Sequence, residues 1–126
     1  MKKIINTNEA PSPIGPYSQA VLAGNILYIS GQIALNAESG NLVLDSIETE
    51  TQQVMENLKA VLSAAGFGFE NIVKTTIFLS DMNFFPVVNE VYGSYFSADF
   101  PARETVAVKT LPKNVNVEIS AIAVKG

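Results

Sequence analysis

The chain has 126 residues, 48% of them apolar and only 16% charged, which excludes a disordered polymer and predicts one folded domain over residues 1–126. The net charge is −4 and the basic residues are one Arg and seven scattered Lys, so neither nucleic acid nor an anionic membrane is an expected partner. With no Cys and no His, the chain has no disulfides, thiol nucleophiles or zinc-thiolate ligands and lacks the commonest general base, so any chemistry falls to carboxylates, Arg, Lys, hydroxyls or backbone groups.

The first six residues, Met1 to Asn6, contain two lysines but turn polar too early to form the apolar core of a signal peptide. No later run is long enough to span a bilayer, and a cytoplasmic location is the expectation. Pro11-Ser12-Pro13-Ile14-Gly15-Pro16 predicts an ordered loop, since each proline fixes its own φ and restricts the residue before it. Gln19 to Ala23 and Ile26 to Ser30 are β-prone and joined by Gly24-Asn25, a dipeptide suited to a tight hairpin turn.

Asp45, followed three residues later by Glu48, reads as a helix cap. Behind it Ile47, Val54, Leu58, Val61, Leu62 and Ala65 recur at helical spacing up to Gly66, which is suited to end the helix. Ile72 to Ser80 reads as a strand covered on both faces, with Val73, Thr75, Ile77 and Leu79 on one side. Asp81 then caps a second helix with Pro86 in its first turn and Phe84, Val88, Val91, Tyr92 and Tyr95 on its buried stripe. Strands over Thr105 to Lys109 and Val115 to Val124 close the chain. The order is ββαβαββ after a short first strand, an α+β sandwich with helices on one sheet face.

Two charged residues stand out. Arg103, the single arginine, follows Phe100-Pro101-Ala102 and reads as lying in a stiffened loop just before a strand. A lone Arg ordinarily pairs with a surface acid. Its planar fork of donors also suits a carboxylate ligand, at roughly 1.5–3 kcal/mol per charge-assisted bond. Glu118 is the only acid in the apolar run Val115 to Val124, on the face shared by Ser120, Ile122 and Val124. It is either a carboxylate on a solvated strand face or one that positions water, its pKa raised by desolvation or held down by Arg103. Tyr17, Ser30, Gly31 and Asn89 carry weaker signals: an aromatic at the end of the proline loop, a glycine that lets a ligand approach the backbone, and a polar residue on the second helix. The aromatics near that helix, with so few basic residues between them, read as core or interface, and no glycine pattern for a nucleotide is present.

Taken together, these blocks resemble the RidA/YjgF family of imine and enamine deaminases, whose members also carry the names translation inhibitor and endoribonuclease. The similarity runs nearly end to end. It lies in Ala10-Pro-Ser-Pro-Ile-Gly-Pro-Tyr17-Ser18, Leu27-Tyr-Ile-Ser30-Gly-Gln32-Ile33, Asn57-Leu-Lys-Ala-Val-Leu-Ser-Ala-Ala-Gly66, Val73-Lys-Thr-Thr-Ile-Phe-Leu79, Val88-Asn89-Glu-Val-Tyr92, Phe100-Pro-Ala-Arg103-Glu-Thr-Val106, Leu111-Pro112 and Val117-Glu118-Ile119. The resemblance implies a chorismate-mutase-like fold with helices on one face of a mixed sheet. It also implies a homotrimer with clefts between subunits, no cofactor and no metal.

By position the resemblance gives Arg103 the carboxylate, Glu118 the water, and Tyr17, Ser30, Gly31 and Asn89 the lining of the cleft. Many relatives have Cys where this chain has Thr105, whose hydroxyl still bonds water but excludes thiol chemistry. Glu104, if it pointed into the cleft, would compete for Arg103. The implied activity is hydrolysis of reactive 2-imino acids, such as those released when serine or threonine is dehydrated, to 2-keto acids and ammonia. The alternative is a sensor that binds a keto acid without turnover. RNA cleavage lacks a basic groove, and a chaperone role has little support in these residues.

Overall fold

In the computed structural model, which describes residues 1–126, the elements run β1 (Lys2–Ile5), β2 (Ala20–Ala23), β3 (Ile26–Gln32), α1 (Ile47–Ala64), β4 (Ile72–Leu79), α2 (Phe85–Gly93), β5 (Ala102–Ala107) and β6 (Val117–Val124). All six strands form one sheet in the order β1-β2-β3-β6-β4-β5. Every pairing is antiparallel except β4 with β5, which is parallel because α2 crosses over between them. This is the expected mixed α+β sheet, and no helix is long and apolar enough to cross a membrane.

Both helices pack on one face. Val54, Met55, Leu58, Val61 and Leu62 of α1 and Val88 and Tyr92 of α2 bury against Leu27 and Ile29 of β3, Ile77 and Leu79 of β4, and Val117, Ile119, Ala121 and Ala123 of β6. The alternation along β6 is complete, with odd positions buried and even ones, Glu118 included, on the other face. That second face carries no helix and shows apolar side chains to solvent, among them Tyr28 at 46% and Val106 at 44% exposure.

Helix α1 starts one residue later than the Asp45 cap predicts. Ser46 is the N-cap: its hydroxyl accepts from Thr49 N–H at 3.1 Å while the Thr49 hydroxyl accepts from Ser46 N–H at 3.1 Å. The predicted stop is found. Gly66 has φ 78°, its N–H bonds Ser63 O, and Phe67 N–H bonds Leu62 O, closing a Schellman turn. Asp81 caps a 3-10 turn over Met82–Phe84 that leads into α2, with its carboxylate accepting from Asn83 N–H at 2.8 Å.

Two other expectations are corrected. Val73 is 48% exposed rather than aligned with Thr75, because the β4–β6 ladder slips between Ile72 and Lys74. Strand β5 begins at Ala102, not Thr105, since parallel pairing starts at Lys74 with Ala102; Arg103 is therefore a strand residue rather than a loop residue.

Candidate active site

Around Glu118 the sheet is locally irregular. The β3–β6 ladder pairs Ile29 with Ala121 but Gln32 with Ile119, so Ser30 and Gly31 form a bulge across from the residues that follow Glu118. The Glu118 carboxylate lies against this bulge, in space that a side chain on Gly31 would occupy: a Cβ there would sit 2.8 Å from the Glu118 Cδ and collide with its Oε2. Glycine permits this close approach, and any side chain here would have to displace the Glu118 carboxylate.

A cleft of about 350 Å³ opens over this point, lined by Ile14, Tyr17, Ser30, Gly31, Ile33, Pro112 and Glu118. Burial of the Glu118 carboxyl raises its pKa above the ordinary 4.5, with no opposing cation among the causes. Within a single chain, of the two effects open from sequence, desolvation is the one that operates.

The proline loop forms one wall because a buried glutamine ties it down. The Gln19 amide donates to Thr7 O at 3.0 Å and Pro11 O at 2.9 Å, and its carbonyl accepts from Thr7 N–H at 2.8 Å. The Ser30 hydroxyl donates to Ser18 O at 2.6 Å, so its proton is committed to holding the loop and only its lone pairs face the cleft. The Tyr17 hydroxyl accepts from Ile14 N–H at 3.4 Å, curling the loop into a wall of a ring and an aliphatic side chain.

Arg103 belongs to a second cluster. It pairs in register with Thr75, which is buried on the helix-covered face, whereas Glu118 pairs with Phe78 on the open face. Within one chain, Arg103 and Glu118 therefore lie on opposite faces of the sheet and share no crevice. The guanidinium is not idle. It donates to Asn89 Oδ1 at 2.8 Å, and its carbon lies 5.4 Å from the Phe85 ring centroid and 5.1 Å from that of Tyr92.

Tyr92 is itself fixed by a 2.8 Å hydrogen bond between its hydroxyl and that of Thr75; burial raises its pKa, against that bond and the charge of Arg103. No acid pairs with Arg103, because the chain's one salt bridge joins Lys74 to Glu104 at 2.8 Å. Glu104 points away, to the Glu118 side of the sheet, and does not compete for Arg103. Thr105, on the Arg103 side, has a buried hydroxyl oxygen without a partner.

The residues singled out from sequence thus fall into two clusters: Tyr17, Ser30, Gly31 and Glu118 in the cleft, and Arg103, Asn89 and Thr105 on the helix-covered side. Sequence reading missed Ile14, Ile33 and Pro112 as cleft walls and Phe85 and Tyr92 as the aromatic clamp. The available signal was an isoleucine set between prolines, and two aromatics three or four residues from Asn89, one turn away on a helix. No three His, Cys, Asp or Glu side chains converge as a metal ion would require.

A family model described as Endoribonuclease L-PSP matches residues 7–125. The human protein named 2-iminobutanoate/2-iminopropanoate deaminase is 47% identical, with the match spanning 100% of this chain and 92% of that one. Among solved structures, a protein of the conserved Rid family from Yersinia pestis superposes with a TM-score of 0.97 at 50% identity, covering 99% of this chain and 100% of the other. TdcF of E. coli, solved with bound serine, superposes at 0.94 with 42% identity, covering 98% of this chain and 99% of its own.

Proposed function

The chain belongs to the endoribonuclease L-PSP family, to which Rid proteins and 2-iminobutanoate/2-iminopropanoate deaminases are its full-length relatives, and from that premise we propose that it hydrolyses 2-imino acids to 2-keto acids and ammonia. The observation that carries the reading is the clamped guanidinium with no acid partner. A planar cation held by Asn89 and two rings, with no carboxylate of its own chain to satisfy it, is arranged to receive one from a ligand. The bound serine of TdcF, a small amino acid with a free carboxylate, is a ligand of matching type.

Because Arg103 and Glu118 lie on opposite faces of the sheet, the reading requires more than one copy. We place the Arg103 side of one protomer over the Glu118 cleft of the next. Joining two different surfaces in this head-to-tail way makes rings rather than isologous pairs, which fits the homotrimer implied by the family resemblance. The apolar, helix-free sheet face, with Tyr28, Val73 and Val106 exposed, supplies the surface such an assembly would cover.

The chemistry then needs little from the protein. The carbon of a protonated imine is already electrophilic, and the main task is to place water. Arg103 holds the substrate carboxylate. Glu118, ionised, accepts a proton from the attacking water as its oxygen bonds to that carbon and passes it to the nitrogen; as the C–N bond breaks, Glu118 takes the remaining hydroxyl proton, so the C=O of a 2-keto acid forms and ammonia leaves. The raised pKa makes Glu118 a better proton acceptor than an ordinary carboxylate.

The test generates the imine in place, with a dehydratase acting on threonine, and follows keto acid and ammonia together. Release faster than the spontaneous rate is expected. Binding of 2-oxobutanoate without acceleration would identify a sensor instead.

A further inference from the structure

Glu50 has no part in the mechanism above, yet its carboxylate is wholly buried, at 0% exposure, and no Lys or Arg pairs with it. A sealed carboxylate without a cation is tolerated only when hydrogen bonds replace its water, and an apolar residue of similar size avoids the cost altogether. Here the replacement is complete. Oε2 accepts from Asn116 N–H at 2.8 Å and Val117 N–H at 3.0 Å, and Oε1 accepts from Asn116 Nδ2 at 2.9 Å. All three donors belong to the two residues that precede Glu118.

Asn116 passes the restraint on. Its side-chain oxygen accepts from the Ser80 hydroxyl at 2.9 Å and its backbone oxygen from Ser80 N–H at 3.0 Å, locking the start of β6 to the end of β4. Immediately upstream, Lys113 and Asn114 hold φ of 55° and 56°, a left-handed conformation that Asn tolerates and Lys rarely adopts. Pro112, in the same turn, lines the cleft. One carboxylate in the first turn of α1 therefore secures the start of the strand that bears Glu118, directly after the turn that bears Pro112.

We propose that Glu50 is a positioning residue, which fixes the height of Glu118 over the cleft by gripping the Asn116–Val117 backbone from the helix side of the sheet. The inference rests on Glu118 being the group that handles water. It explains why a charge is retained where packing alone would favour an apolar residue: two adjacent backbone N–H groups and a side-chain amide need acceptors at one point, and a carboxylate provides both oxygens.

Glu50→Gln tests this, because its amide N–H₂ would face the N–H₂ of Asn116. The partner change Asn116→Asp, combined with it, restores a donor facing an acceptor. Glu50→Gln is expected to lower kcat about tenfold or more with KM within about twofold, since a displaced base costs rate rather than carboxylate binding. The double variant is expected to recover most of the loss. Hydrogen exchange should rise at the amides of residues 116–118 in the single variant and return in the double one.

Unchanged kcat, a loss falling on KM, or a double variant no better than the single one would each overturn the proposal. Should Glu50→Gln fail to fold, Asn116→Ala, which keeps both backbone bonds, is expected to lower kcat severalfold at constant KM, and full activity would count against it. If the unaltered protein shows no imine hydrolysis, the functional reading falls on that result alone. The positioning claim is then judged by exchange at 116–118 and by the NMR titration of Glu118, either of which, unmoved in Glu50→Gln, refutes it.

Discussion

At Arg103 a planar cation meets two aromatic rings and one amide oxygen but no acid. Arg103 is exposed but makes no ion pair, which tells against the ordinary reading of a lone arginine as a surface ion-pair partner. Arg103→Lys keeps the charge and loses the fork, and is expected to cost about a hundredfold or more in kcat/KM with the melting temperature unchanged, measured in the imine-generating assay beside thermal unfolding. Gly31 poses a steric test. In Gly31→Ala the new methyl and the Glu118 carboxylate claim the same space, so kcat should fall at least about tenfold; an active, undisplaced variant would show that Glu118 need not lie where it does.

Glu118 also links activity to stability. Its native pKa lies above the ordinary 4.5, so the native state binds more protons, and stability declines as pH rises from that value through the native one. Glu118→Gln removes that loss. The variant should melt higher than the parent at neutral pH, converge with it in acid below the unfolded value, and lack turnover. In the parent, the acid limb of kcat/KM should lie above pH 4.5.

At the level of elements, local signals located the helices and most strand interiors, because burial periodicity and turn residues act over a few positions. Competition between neighbours moved the ends. Ser46 displaced Asp45 as the α1 cap because its hydroxyl reaches Thr49 N–H and receives the reciprocal bond. Ser46→Ala should destabilise the fold by about 1 kcal/mol, read from denaturant unfolding with an unchanged m-value. Strand β5 was misjudged for a different reason. Ala102 to Glu104 looked like loop behind a proline, and only the parallel partner β4 makes them strand. That pairing decides the side on which Arg103 emerges, since a shift of one residue would move it to the Glu118 face.

For the whole molecule, the decisive fact is that Arg103 and Glu118 of one chain lie on opposite faces of one sheet. If they are joined between copies, mixing Arg103→Ala with Glu118→Ala protomers must rebuild intact sites. After dissociation and equal mixing, roughly a quarter of interfaces combine an unaltered Arg103 with an unaltered Glu118, and about that share of parental activity should return. Light scattering should find three chains in the active particle. No recovery from well-mixed oligomers would sink the shared-site reading, whatever the activity of the parent.

The sequence alone determined the order of elements, the α+β class, the alternation that sets Glu118 apart from the core, and the narrow choice of chemistry left by a chain with neither Cys nor His. These are properties of composition and short-range pattern, and they need no knowledge of what lies across the sheet. Tertiary structure decided which face Arg103 and Glu104 take, the bulge that seats Glu118 against Gly31, the clamp on the guanidinium, and the burial of Glu50 against Asn116 and Val117. Each depends on strand register or on residues far apart in the chain, and a contact of that kind leaves no local periodicity to read.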